Sequence, residues 1–306
     1  MNGIVNQRRI KKTWKSQPTI EGAGVHLHRA FGFHDVPLLD PFLLLDDFRS
    51  ENPDEYRAGF PWHQHRGIEN ITYVLDGDVE HVDSLGNRGN ISAGDIQWMT
   101  AGSGIIHQEM PKGNSKGQML GFQLWANLPA RLKMTEPSYR GVTRNEIPLV
   151  STKEGAKVRI ICGEVDGTIG PVQGIVTDPE YLDVELAQGK TWTHPVKENY
   201  TVIAYVIDGC GFFDPGRIPF GHDAAGANYF DMEPPCECDN ETLILFGEGN
   251  EVSVTTDKSS VRFLLISGKP LKEPIAWYGP IVMNTRDELR VAFQEYEDGT
   301  FLKHKR

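Results

Sequence analysis

The sequence predicts an all-β protein built as two tandem barrels, with one helix at the C-terminal end. Three observations carry this prediction. Short apolar segments alternate with turn-forming residues at the density found in sandwiches and barrels. Tyr73-Val-Leu-Asp-Gly77 is echoed by Tyr205-Val-Ile-Asp-Gly209, an offset of 132 residues (205 − 73), so a domain-sized unit is repeated. Helical periodicity with clear start and stop signals occurs at Thr285-Arg-Asp-Glu288, a capping box followed by Leu289, Ala292, Phe293 and Tyr296 and stopped by Asp298-Gly299.

Taken in order, the run Arg8-Arg9-Ile-Lys11-Lys12-Thr-Trp-Lys15 alternates charged and apolar residues and reads as the solvated face of an early strand. Glu69 to Leu75 is β-branched and apolar, a strand ended by the turn Asp76-Gly77-Asp78. Gly86-Asn-Arg-Gly-Asn90 and Ser92-Ala-Gly94-Asp95 are further turns. Met119 to Trp125 is apolar on both faces and reads as a buried strand. Pro129 to Pro148 is polar, with Pro137 and Gly141 inside it, and reads as a linker or a short helix plus loop. Strand patterns resume at Val158 to Gly163 and at Tyr181 to Leu186. The expected domains are therefore an N-terminal barrel over 1–133, a linker over 134–148, and a C-terminal barrel with its helix over 149–306.

Composition narrows the function classes. At 306 residues, 39% hydrophobic and 24% charged, the chain is long enough for two ordinary domains with sizeable cores. Lys and Arg number 31 against 42 Asp and Glu, a net charge of −11, which argues against a surface that binds nucleic acid. Four cysteines are too few for a disulfide scaffold, and Cys236-Glu-Cys238 lies in a loop-like stretch with no second pair after it. Neither a signal-peptide pattern nor a long apolar run occurs, so the expected location is the cytoplasm, without a membrane partner.

The chemistry gathers in two pairs, His63-Gln-His65 and His107-Gln-Glu109. Residues two apart on a strand point to the same face, so adjacent strands would aim three imidazoles and a carboxylate into one space. One His-x-His pair means little: 306 × (10/306)² gives about 0.3 by chance. His26-Leu-His28 is such a pair, without an acidic partner at strand spacing, and reads as structural. His63 and His65 differ in context, with Gly59 before them, Glu69 after them and a tight turn at Gly77. Imidazole and carboxylate suit a divalent transition metal, and four ligands on one wall leave two octahedral positions open. Either Glu109, two residues from His107, or Glu69, four from His65 and of the same parity, can be the carboxylate ligand. At the 132-residue offset Pro195, Lys197 and Thr201 stand where His63, His65 and Glu69 do. With Gly94 set on Gly249, Arg262 and Leu264 replace His107 and Glu109. The second barrel is therefore expected to hold no metal.

These motifs resemble those of the cupin superfamily, although the second lacks its proline and has its histidine two residues late. Asp40-Pro-Phe-Leu-Leu-Leu-Asp-Asp-Phe48, Phe60 to Glu69, Gly94 to Gly102 with His107 to Pro111, Gln123 to Pro129, and Ser267 to Pro280 resemble the pirin family over almost the whole chain. The resemblance implies two cupin (double-stranded β-helix) barrels, with one metal in the N-terminal barrel on His63, His65, His107 and Glu109. Iron(II) would be the first choice, with manganese, nickel, copper, cobalt or zinc as others. It further implies quercetin 2,3-dioxygenase activity, which opens a flavonol with O₂ and uses Glu109 or Glu69 as base. The alternative it implies is a non-enzymatic metal-binding protein that acts on a protein partner. Apolar walls for a flat substrate are available in Phe60, Trp62, Trp98, Met99, Phe122 and Trp125, with Gln123 as a polar contact.

Overall fold

The computed structural model describes residues 5–218, 221, 223–225 and 237–304. Their regular structure is strand apart from three short 3₁₀ turns and one α-helix, Arg286–Glu297. Two compact units emerge. The first barrel is Gln17–Glu146 with Leu271–Arg306, and the second is Met1–Ser16 with Ile147–Pro270.

The first barrel has two main sheets and a two-stranded ribbon of Ala276–Tyr278 with Ile281–Met283. One runs Phe60–His65, Ile105–Pro111, Val79–Asp83, Arg88–Ile91; the other runs Ser138–Val142, Ile96–Thr100, Ile68–Asp76, Leu120–Asn127, Phe42–Asp47, Val25–Phe31, Gln17–Glu21. Residues of both sheets share the core: Ile105 packs with Leu43, Ile68 and Met99, and Val79 and Ile91 pack with Val25, Leu27 and Val74. In the second barrel a nine-stranded sheet holds Ala156–Cys162, Glu180–Leu186, Val261–Gly268, Thr201–Gly211 and Thr242–Phe246 side by side, and Thr191–Pro195 pairs with Glu251–Thr255. Its hydrophobic core gathers around Trp192, Phe213 and Phe263.

These boundaries depart from 1–133, 134–148 and 149–306. Ile10–Lys15 pairs with Thr242–Phe246 and so belongs to the second barrel, while everything after Pro270 belongs to the first. The polar stretch expected to be a linker contributes Ser138–Val142, paired with Ile96–Thr100 from Ser138 opposite Thr100 to Val142 opposite Ile96. It is an edge strand with one face in water, which is why its sequence reads as polar. Arg8 also departs from its expected solvated place. It is buried, and its guanidinium donates to the carbonyls of Gly247, Lys197 and Glu198.

The helix forms where its caps place it. Glu288 N donates to Thr285 Oγ1 at 3.2 Å, and Thr285 N donates to Glu288 Oε2 at 2.8 Å. Its apolar stripe buries Ala292 against Ile281, Met283 and Phe301. Among the described residues no helix is long and apolar enough to cross a membrane. Cys236 lies outside the described residues; Cys238 is buried on the short strand Cys238–Asp239.

Candidate metal centre

Phe60–His65 and Ile105–Pro111 are antiparallel neighbours, with His63 opposite His107 and Ile105 opposite His65. A register shift then sets Glu109 opposite Phe60. Strand alternation does the aiming: Ile105, His107 and Glu109 are buried, and Ile106 and Gln108 between them are not. His65 is buried and His63 half-buried. One nitrogen each from His63, His65 and His107 lies within 4.8 Å of the others.

The protons of His63 and His65 can be assigned from acceptors alone. His63 Nδ1 lies 2.8 Å from the Pro61 carbonyl and His65 Nδ1 lies 3.2 Å from the Pro280 carbonyl. A carbonyl only accepts, so each Nδ1 carries the proton and each Nε2 carries a lone pair. Those two Nε2 atoms are 3.0 Å apart. Two facing lone pairs at that distance repel unless a cation or a shared proton lies with them. His107 is buried with neither ring nitrogen hydrogen-bonded. Burial pushes the pKa of His65 and of His107 well below the ordinary histidine value. Both rings are therefore neutral near pH 7, the form that binds metal. These residues fit a divalent transition metal on this chemistry.

Glu109 is buried, and its Oε1 accepts from Thr72 Oγ1 at 2.9 Å and Gln97 Nε2 at 3.1 Å. Its carboxylate belongs to a second cluster, with His107 and His81, again within 4.8 Å. Thr72, Gln97 and His81 are sequence-silent partners. Thr72 and Gln97 face each other across adjacent strands, and His81 stands opposite Glu109 in the sheet.

Glu69 does not join either cluster. Its Oε2 accepts from Trp98 Nε1 at 3.0 Å and from Thr100 Oγ1 at 2.8 Å. Burial raises its pKa against those bonds. Parity with His65 fails because the chain breaks between the two residues. Phe60–His65 ends, Gly67 turns at φ +79°, and Ile68–Asp76 enters the other sheet. A Cβ at Gly67 would meet the Val282 carbonyl at 2.0 Å, so only glycine allows that turn.

A cavity of about 540 Å³ lies in the second barrel and one of about 740 Å³ opens beside the histidines of the first. The larger is lined by His63, His65 and Glu109, by the expected Phe60, Trp62, Gln123 and Trp125, and by the unexpected Phe33, Trp277 and Tyr278. Trp125 meets His65 edge-on at 5.1 Å and Trp277 at 5.9 Å. Trp98, Met99 and Phe122 are core instead. Trp98 is spent on Glu69, Met99 packs with Leu43 and Ile105, and Phe122 is fully buried. At the polar side of the cavity Arg29 grips Asp46 with two bonds of 2.8 Å. Burial pushes the Asp46 carboxyl up to about 6 against the pull of Arg29.

The second barrel keeps the strand pair and changes its residues. Gly104 (φ +140°) precedes His107 by three residues, as Gly249 (φ +147°) precedes Val252. His194 stands opposite Val252, as His63 stands opposite His107. The counterparts of His63, His65, His107 and Glu109 are thus His194, Val196, Val252 and Val254, not the residues that the ungapped offset suggests. His194 is tied to Glu180 at 2.8 Å and stacked on Trp192. His26 and His28, the other His-x-His pair, are in neither metal-competent cluster.

Comparison with known proteins agrees with this architecture. Residues 24–126 match the family model described as Pirin, and residues 181–302 match the Pirin C-terminal cupin domain. A pirin-like protein of Caulobacter vibrioides is 39% identical over 295 residues, covering 96% of this chain and 99% of that one. A Pseudomonas aeruginosa protein named "Putative quercetin 2,3-dioxygenase" is 39% identical over 300 residues, covering 97% and 99%. The crystal structure of a quercetin 2,3-dioxygenase from Acinetobacter baumannii superposes with a TM-score of 0.80 at 29% identity, covering 97% and 99%.

Proposed function

Since the chain belongs to the pirin family, we propose that it is a metal-dependent dioxygenase of the quercetin 2,3-dioxygenase type. The observation that carries this reading is the convergence of His63, His65 and His107 nitrogens beside an aromatic-walled cavity that His63 and His65 line. His63, His65, His107 and Glu109 would hold one divalent transition metal, iron(II) first. When bound, that metal supplies Lewis acidity and a template for dioxygen.

The chain's own residues do the rest. Trp125, Trp277 and Phe60 flank a slot suited to a flat aromatic ring. Glu109 is the one acidic residue of the metal cluster that also lines the cavity, so it takes the proton of the flavonol 3-hydroxyl. Thr72 and Gln97 hold its Oε1 and leave the rest of the carboxylate for that task. Glu69 lines no part of the cavity and is assigned no role in proton transfer. Ring opening then consumes one O₂ and releases one carbon monoxide, a balanced redox reaction without a further reductant.

The test is anaerobic flavonol titration followed by air, on protein reconstituted with iron, manganese, nickel or copper. The expected result is metal-dependent flavonol loss with an equivalent of carbon monoxide. Stoichiometric metal without any flavonol loss in all four forms would overturn the enzyme and leave a metal-binding interaction protein.

A further inference from the structure

The metal cluster has a neighbour that the ligand set does not use. His81 lies on Val79–Asp83, the strand hydrogen-bonded to Ile105–Pro111 on the side away from His63. It stands opposite Glu109 and is fully buried. His81 Nε2 lies 3.3 Å from Asp83 Oδ2, and that carboxylate also accepts from Asn87 Nδ2 at 2.7 Å. With Nε2 donating, Nδ1 is left as a buried lone pair, and it has no partner. The ring is pinned by Tyr139, stacked at 5.0 Å, and faces His107 at 5.4 Å. A histidine kept only for packing would satisfy both nitrogens. This one has the carboxylate-to-imidazole support of a metal ligand and nothing at its other nitrogen.

We propose that His81 is a fifth donor, forming with His107 and Glu109 an inner position for a divalent transition metal beside the outer one of His63, His65, His107 and Glu109. An imidazole that keeps its N–H has a single lone pair, so one ion occupies either position but not both. The chain therefore offers one ion two seats that share His107 and Glu109. The thiol-free, imidazole-and-carboxylate donor set suits iron, manganese, cobalt, nickel or zinc. This inference rests on the metal-binding reading above.

The test is Co(II) loading of the full-length protein, with metal content measured by elemental analysis and affinity by competition with a chromophoric chelator. Wild type and His81→Gln should each hold one equivalent. A His63→Ala/His65→Ala double variant should still hold one equivalent, weaker by at least about 100-fold. Adding His81→Gln to it should abolish binding. On Cu(II)-loaded double variant, pulsed EPR should count two imidazoles. A double variant that unfolds like wild type yet holds no cobalt would overturn the proposal, as would equal binding with and without His81. If the alanine pair does not fold, the His63→Asn variant compared with and without His81→Gln decides by the same readouts. Wild type holding no cobalt at all would instead sink the metal-binding reading itself.

Discussion

In the first barrel Phe60–His65 and Ile105–Pro111 set His63 opposite His107; in the second, Thr191–Pro195 and Glu251–Thr255 set His194 opposite Val252. The strand plan is the same, yet one interior collects imidazoles and carboxylates while the other closes with Trp192, Val196, Val252 and Val254. The second barrel shows the ordinary solution: the positions matched to His65, His107 and Glu109 are filled by apolar side chains, and His194, matched to His63, is hydrogen-bonded to Glu180. The first leaves buried imidazole nitrogens without partners, on His81 and His107. On the reading proposed above, a barrel becomes a metal site through agreement of several inward positions, and one histidine is not enough.

Substitutions at matched positions sharpen this comparison. His107→Ala should have the largest effect, lowering metal affinity by at least about 1,000-fold and flavonol turnover to background, because both clusters share this ring. His194→Ala should leave metal content unchanged by elemental analysis; a loss would mean that the second barrel takes part. Val252→His places an imidazole beside His194 without the other donors. It should destabilise the fold by about 2–5 kcal/mol in denaturant unfolding and bind no metal. Recruitment of an ion there would break the claim that several positions must agree.

Lys133 tests the polar side of the contrast. Its buried Nζ donates to the carbonyls of Gly67 and Val282 and to Asn127 Oδ1, bracing the turn that ends the His65 strand. Burial, partly offset by Glu273 and Glu288, lowers its pKa from 10.5 to about 7. Between those values the unfolded chain holds a proton that the folded chain releases, so this group makes stability rise with pH from about 7 to 10.5. The slope has an upper bound of about 1.4 kcal/mol per pH unit. Lys133→Met should remove that rise, read from unfolding free energies between pH 6.5 and 9.5. Glu69→Gln should do least: metal content unchanged and a loss of about 0.5–1.5 kcal/mol from weaker bonds to Trp98 and Thr100. Metal loss in that variant would return Glu69 to the ligand set.

The sequence was most legible where period and spacing are local. The 2-residue spacing of His63 with His65 and of His107 with Glu109 put each pair on one strand face, and Thr285 with Glu288 marked the helix start. Parity misled at Glu69, since strand alternation ends where Gly67 turns the chain into another sheet. The ungapped offset misled in the second barrel, where the glycine that corresponds to Gly249 is Gly104 rather than Gly94. His81 was overlooked because its partner Glu109 is 28 residues away (109 − 81) and meets it only through sheet register.

By itself, then, the sequence determined the all-β architecture, the repeat, the terminal helix and the strand faces that carry the histidines. The helix and the strand faces follow from periodicities of 3.6 or two residues within short windows, the architecture from the density of turns, and the repeat from one motif met twice. Tertiary structure alone decided that residues 5–16 join the second barrel and that Trp277 and Tyr278 wall the first barrel's cavity. It also decided which carboxylate sits among the imidazoles. Those outcomes depend on which strands become neighbours, and pairing is set by hydrogen bonds between strands such as those of Ile10 and Phe246, 236 residues apart (246 − 10), for which no local pattern exists.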